Sequence, residues 1–120
     1  MDHLSLPISD VARSKAFYEA TLAPLGWACS GWRDDLFVGF KKPGAPALYL
    51  NVASATAPAH LAFKAHTEAE VQAFFQAGRA AGGVDNGAPG PRTSYGPGYY
   101  AAFLLDPDGH NVEAVVGGVG

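Results

Sequence analysis

The stretch HLAFKAHTEAEVQAFFQAGRAAGG, residues 60–83, holds a strand, a helix and a stop signal in that order. His60 opens the strand with a His-Leu-small-apolar pattern. Thr67 and Glu70 form a T-x-x-E pair, the signature of a capped helix start. Val71, Phe74, Phe75 and Gly78 then line one helix face, and Gly82 and Gly83 end it. The same plan stands earlier in HLSLPISDVARSKAFYEATLAPLG, residues 3–26. There His3 opens a half-buried strand and Ser9 or Asp10 caps a helix striped by Val11, Ser14, Phe17, Tyr18 and Leu22, which Gly26 stops. The pairs His3/His60, Phe17/Phe74 and Gly26/Gly83 share one offset of about 57 residues, which marks an internal repeat.

Each copy continues with strands. DLFVGF, the turn KKPGAP and ALYLNV follow in the first; YYAAFLL, the turn DPDGHN and VEAVV follow in the second. Runs of Val, Tyr, Phe and Leu around Pro/Gly turns are hairpin signals, and SGW at 30–32 supplies a further short strand. NGAPGPRTSYGPG, residues 86–98, reads as an irregular loop of the kind that carries specificity. The spacing predicts an α+β fold: paired βαβββ modules, residues 1–54 and 59–117 of one domain spanning 1–120. A unit this small cannot bury its sheet alone, so the two pack together into a cupped, barrel-like mixed sheet with the helices outside.

Bulk properties narrow the function. A hydrophobic fraction of 48% over 120 residues suits one packed domain. The net charge of −3, with no stretch that gathers Lys and Arg, gives no footprint for nucleic acid. Cys29 is the single cysteine, so no intrachain disulfide forms, and with no export signal the expected home is the cytoplasm. No apolar run approaches the roughly 18 residues that span a bilayer, so no membrane partner is expected.

Strand parity then isolates one carboxylate. In NVEAVV, Val112 and Ala114 share an apolar face and Glu113 points the other way, where it needs solvent, a cation or a donor. The matching place in the first copy is Tyr49, in ALYL. If the copies are related by a twofold axis, His3, His60, Glu113 and Tyr49 converge. Two imidazoles and a carboxylate leave open positions on a divalent ion and suit Zn(II), Ni(II), Mn(II) or Fe(II).

These segments, together with DPDGHNVEAV at 106–115, resemble the vicinal oxygen chelate superfamily: glyoxalase I, fosfomycin-resistance proteins, bleomycin-resistance proteins and extradiol dioxygenases. The resemblance spans essentially the whole chain. It implies paired βαβββ modules around one metal held by His3, His60 and Glu113. Glyoxalase I uses a glutamate as fourth ligand where this chain has Tyr49, and a neutral phenol ligates poorly. With three protein ligands the site is closer to those of fosfomycin-resistance thiol transferases and extradiol dioxygenases. Bleomycin-resistance proteins share the architecture and use no metal.

The expected function is therefore that of a glyoxalase-like metalloenzyme, a lyase or isomerase. One divalent ion would bind adjacent oxygens of a small molecule and stabilise an enolate or alkoxide, with Glu113 and Tyr95 catalytic. Tyr49, Arg92, Tyr95 and Tyr100 are the candidate substrate-binding residues; Arg92 offers a fork for an anionic group. The alternatives are an extradiol-type dioxygenase, a fosfomycin-type thiol transferase, or a metal-free bleomycin-resistance-like binding protein whose tryptophans (Trp27, Trp32) and tyrosines stack on a planar ligand. His66 reads as a solvated residue at a strand exit, His110 as a turn residue, and Cys29 as a small apolar filler. The modules pair either within one chain or across a dimer with His3 facing a neighbour's His60; either way a homodimer is expected, because paired modules leave sheet edges to be covered and because the resemblance implies it.

Overall fold

A computed structural model describes residues 1–55 and 57–117. The first module is β1 (His3–Ile8), α1 (Val11–Leu22), β2 (Ala28–Arg33), β3 (Phe37–Lys41) and β4 (Ala47–Val52). The second is β5 (His60–Lys64), α2 (Glu68–Ala80), β6 (Val84–Pro91), β7 (Tyr100–Leu105) and β8 (Asn111–Val116). Each module folds into a four-stranded mixed sheet, ordered β1-β4-β3-β2 in the first and β5-β8-β7-β6 in the second. The sheets stay separate rather than closing into a barrel. Among the described residues no helix is long and apolar enough to cross a membrane.

Helix starts follow the local chemistry. The Asp10 side chain accepts from the Arg13 N–H at 2.8 Å, and Thr67 Oγ1 accepts from the Glu70 N–H at 3.1 Å. The Glu70 carboxylate accepts from the His66 N–H, one residue before the Thr67 cap. Gly26 ends the first helical segment at φ 89°, a left-handed conformation that costs glycine nothing.

The helices cover one face of each sheet. Val11, Phe17, Tyr18 and Leu22 from α1 and Val71 and Phe74 from α2 are buried with Leu6, Ile8, Leu50, Leu104, Val112 and Ala114 in one core shared by both modules. At about 1.5–3 kcal/mol for each fully buried large apolar side chain, this shared core is the main favourable term. The helices touch at Gly78, where an added Cβ would stand 2.2 Å from Leu104 Cδ1 and 2.8 Å from Thr21 Oγ1.

The D-P-D-G-H turn, residues 106–110, ties the modules together. The buried Asp106 carboxylate accepts from the Tyr18 hydroxyl at 2.6 Å and from the backbone N–H groups of Asp108 and His110. Asp108 accepts from the Ser9 N–H at 3.1 Å. His110, expected as an ordinary turn residue, is fully buried. Its Nδ1 accepts from the Ala59 N–H at 3.0 Å, which leaves Nε2 as the donor to the Pro7 carbonyl at 2.8 Å. Burial and the Asp106 carboxylate push the Tyr18 phenol well above 10.0.

A second departure from the sequence reading lies in residues 86–98. The strand β6 runs through Pro91, with register shifts between Asp85 and Gly87 and between Gly87 and Gly90, and only then does the chain turn at Thr93–Tyr95. An edge strand tolerates glycine and proline where bulges release the ladder, so a loop-like composition here still pairs with β7.

Two outcomes follow. Gly78→Val should lower stability by about 1–3 kcal/mol through overpacking, read as a shift in the denaturation midpoint. Unfolding frees Tyr18 to ionise near 10.0 while the folded chain still holds the proton, so its contribution is whole below pH 10 and shrinks above it. Denaturation midpoints should therefore fall more steeply above pH 10 for the wild type than for Tyr18→Phe.

Candidate functional site

The face of each sheet turned away from the helices carries the chemistry. In the second sheet Ala62 lies beside Glu113, Glu113 beside Phe103, and His60 beside Asn111. His60 is exposed on the edge strand; Glu113, one strand inward, is 2% exposed. His60 Nε2 meets Glu113 Oε1 at 2.8 Å. The second carboxylate oxygen, Oε2, accepts from the Tyr99 hydroxyl. A buried carboxylate between an imidazole and a phenol, with no Lys or Arg on it among the described residues, is a costly arrangement that a packed core alone does not call for. Burial and the bond to Glu113 push the Tyr99 phenol up to about 12.

Other side chains surround this pair. The Phe103 ring lies 6.3 Å from the His60 ring, with the Arg92 guanidinium 5.5 Å from its centroid. Arg92 donates to the carbonyls of Ala88, Gly90 and Pro91, so it braces the end of β6 while placing a positive charge over Phe103. Gly87 makes room for this, since a Cβ there would stand 2.9 Å from Phe103 Cδ1. Tyr95 is largely exposed and edge-on to Tyr99 at 5.3 Å, one ring removed from the carboxylate.

The first sheet presents the equivalent face. Ser5 lies beside Tyr49 as Ala62 lies beside Glu113, so the register gives Tyr49 and Glu113 matching places. Tyr49 sits over Gly39, where a Cβ would meet its ring at 2.9 Å, and is edge-on to His3 at 5.6 Å between ring centres. His3 Nδ1 contacts Asp2 Oδ1 at 2.7 Å.

The expected quartet is thus divided into two pairs within one chain: His3 with Tyr49, and His60 with Glu113. Among the described residues no three His, Cys, Asp or Glu side chains gather closely enough to hold an ion. The cause is strand direction. His110 joins Pro7, near the end of β1, to Ala59, just before β5, whereas Leu4, near the start of β1, shares a cavity with Phe63 and Lys64 at the end of β5. The two edge strands pass head to tail, which puts His3 about 13 Å along β1 from the end beside His60, at about 3.3 Å per residue.

Two further placements refine the sequence reading. Tyr100 turns to the helix side, where its hydroxyl accepts from Gln72 at 3.0 Å, and it packs on the core. Its neighbour Tyr99 is the tyrosine that reaches Glu113. Alternation along the strand was the available signal: Tyr100 pairs with Val116 and shares the parity of the core residues Ala102 and Leu104. Lys15 stacks 4.3 Å over the exposed Trp32, while Trp27 is edge-on to Phe63. Half-buried Cys29 and exposed His66 stand apart from the pair.

Two βαβββ modules, each offering an open sheet face with a histidine on its inner edge strand, define a class of small-molecule proteins built by module pairing. Residues 1–114 match the family model of the Glyoxalase/Bleomycin resistance protein/Dioxygenase superfamily, and the chain belongs to it. Among solved structures it is similar to a glyoxalase/bleomycin resistance protein from Albidiferax ferrireducens T118, at 29% identity over 96% of both chains with a TM-score of 0.80. A glyoxalase-related enzyme from Fulvimarina pelagi is 24% identical over 96% of this chain and 86% of its own, with a TM-score of 0.76. A lactoylglutathione lyase from Agrobacterium tumefaciens shares the fold at 22% identity, over 96% of this chain and 91% of its own, with a TM-score of 0.71. No match is found among curated protein sequences.

Removing the Tyr99 hydroxyl leaves the buried Glu113 with one partner. Tyr99→Phe should cost about 1–3 kcal/mol, whereas Tyr100→Phe, which loses only an exposed bond, should stay within about 0.5 kcal/mol. Urea midpoints of the two variants, measured side by side, check the contrast.

Proposed function

We propose that this chain is a glyoxalase-like metalloenzyme acting on a small molecule with adjacent oxygens, and that it works as a homodimer. His3 of one copy would complete a site begun by His60 and Glu113 of the other. The observation that carries this reading is the His60–Glu113 pair, 2.8 Å apart on a sheet face that no helix covers. A closed dimer related by a twofold axis uses the same surface twice, so one contact would build two such sites. The donor set fits: two imidazoles and a carboxylate suit Zn(II), Ni(II), Mn(II) or Fe(II). When bound, such an ion supplies Lewis acidity to vicinal oxygens.

This chain's own residues would do the rest. Tyr99 holds its proton up to about pH 12 and so fixes Glu113 through Oε2 across the working range. Glu113 Oε1, which His60 contacts from the open side, is the atom placed to take or return a substrate proton. Arg92 gives the face a positive charge over Phe103, suited to an anionic substrate group, and Tyr95 stands on the approach. Tyr49 would face the substrate from the opposite half as a hydroxyl donor in place of a fourth ligand.

A metal-free binding protein is the second reading, favoured by the aromatic rings on the same faces: Phe37 and Tyr49 on one, Phe103 on the other. One experiment separates the two. After loading with divalent ions, elemental analysis should find one ion per wild-type chain and almost none in His3→Ala or His60→Ala. Mixing those two variants under exchange should restore about a quarter of the wild-type capacity, because half of a random mixture is heterodimer with one intact site in two. A wild type that stays empty removes the metalloenzyme reading. Equal capacity in all three samples removes these ligands.

A further inference from the structure

The head-to-tail passage of β1 and β5 leaves a gap between the modules with two unlike ends. At one end His110 fills it, bonded to Pro7 and Ala59. At the other the gap opens as a cavity of about 430 Å³, within the range of small-molecule sites. Leu4, Leu48, Leu61, Phe63 and Trp27 give it an apolar lining, with the Trp27 ring edge-on to Phe63 at 5.4 Å. The turn K-P-G-A-P at 42–46 forms one wall, and its two prolines restrict that backbone before any ligand arrives.

The lip of the cavity is polar and of one sign. Lys42, Lys64 and His66 line it. Among the described residues the ion pairs are Asp2–His3, Lys15–Glu19 and His60–Glu113, so neither lysine has a carboxylate within reach. The Lys42 side chain lies against Gly26, next to Trp27, where a Cβ on Gly26 would stand 3.8 Å from Nζ. Glu70, which accepts from the His66 N–H, is held by the start of α2. In a chain of net charge −3, two unpaired ammonium groups beside an apolar slot set the sign of what fits there.

We infer that this slot binds an amphipathic carboxylate, with its hydrocarbon body against Trp27, Phe63 and Leu48 and its carboxylate between Lys42 and Lys64. The slot runs along β5 from Leu61 to Lys64 and includes neither His60 nor Glu113, so the inference stands whether or not that pair holds a metal. Long side chains of opposite charge would bind it by a charge-assisted contact at the lip and area burial below.

Trp27 supplies the readout. In a Trp32→Phe background, in which Trp27 is the one remaining tryptophan, decanoate below its micelle concentration should shift Trp27 emission saturably. The K42E/K64E variant should bind decanoate at least tenfold more weakly while binding decanol as the parent does. Absence of a saturable shift with decanoate overturns the inference, and so does equal decanoate affinity in the charge-reversed variant. An emission shift that follows protein concentration without any added ligand and that blocks the decanoate shift assigns the slot to a second copy of the chain and overturns it too. If the charge-reversed variant fails to fold, as judged by circular dichroism, Lys64→Gln alone should still weaken decanoate and spare decanol.

Discussion

One turn holds the molecule in register. The Asp106 carboxylate gathers a side-chain hydroxyl from the first module and two backbone amides from its own, and His110 spans the seam from Ala59 to Pro7. A buried carboxylate is tolerable only when its lone pairs are filled, and a buried imidazole only when both nitrogens are used in the right tautomer. Both conditions require the modules to sit as they do. Apolar burial supplies the bulk of the stabilisation but has no direction. These directed bonds select one relative placement of two similar halves from the several that would bury similar area.

The placement of the halves in turn decides the layout of the chemistry. Pinning the end of β1 to the start of β5 makes the two edge strands run in opposite directions on either side of the seam, which carries their first residues to opposite ends. His3 and His60 are equivalent by descent from the repeat, so the symmetry that relates them also keeps them apart. What one chain completes is the His60–Glu113 contact, and what it offers elsewhere is a second, complementary half-face.

Much of this was legible in the residues. The repeat and a cap at Ser9 or Asp10 and at Thr67 follow from the common offset and local motifs, and the equivalence of Tyr49 with Glu113 follows from alternation in the strand after each hairpin. The role of His110 was not, because its partners lie 51 and 103 residues away and nothing nearby names them. Tyr99 and Tyr100 are adjacent and face opposite ways; alternation with Ala102 and Leu104 along β7, whose pairing with β8 has no bulge, was the signal that puts Tyr100 on the core side and Tyr99 on the side of Glu113. The opposed directions of β1 and β5 were hidden, since a repeat fixes what the halves look like and leaves their mutual orientation to packing.

The helix crossing has a consequence for how such a duplication ages. Gly78 touches Thr21, and these two positions are themselves repeat partners, brought face to face where the copies meet. Space there is shared, so if one copy keeps a side chain the other must surrender its own. Ancestral identity can persist at positions that never encounter their twin, but along the axis the twins must become complementary instead of alike. Thr21 and Gly78 accordingly differ, and the crossing holds one side chain where two alike would collide.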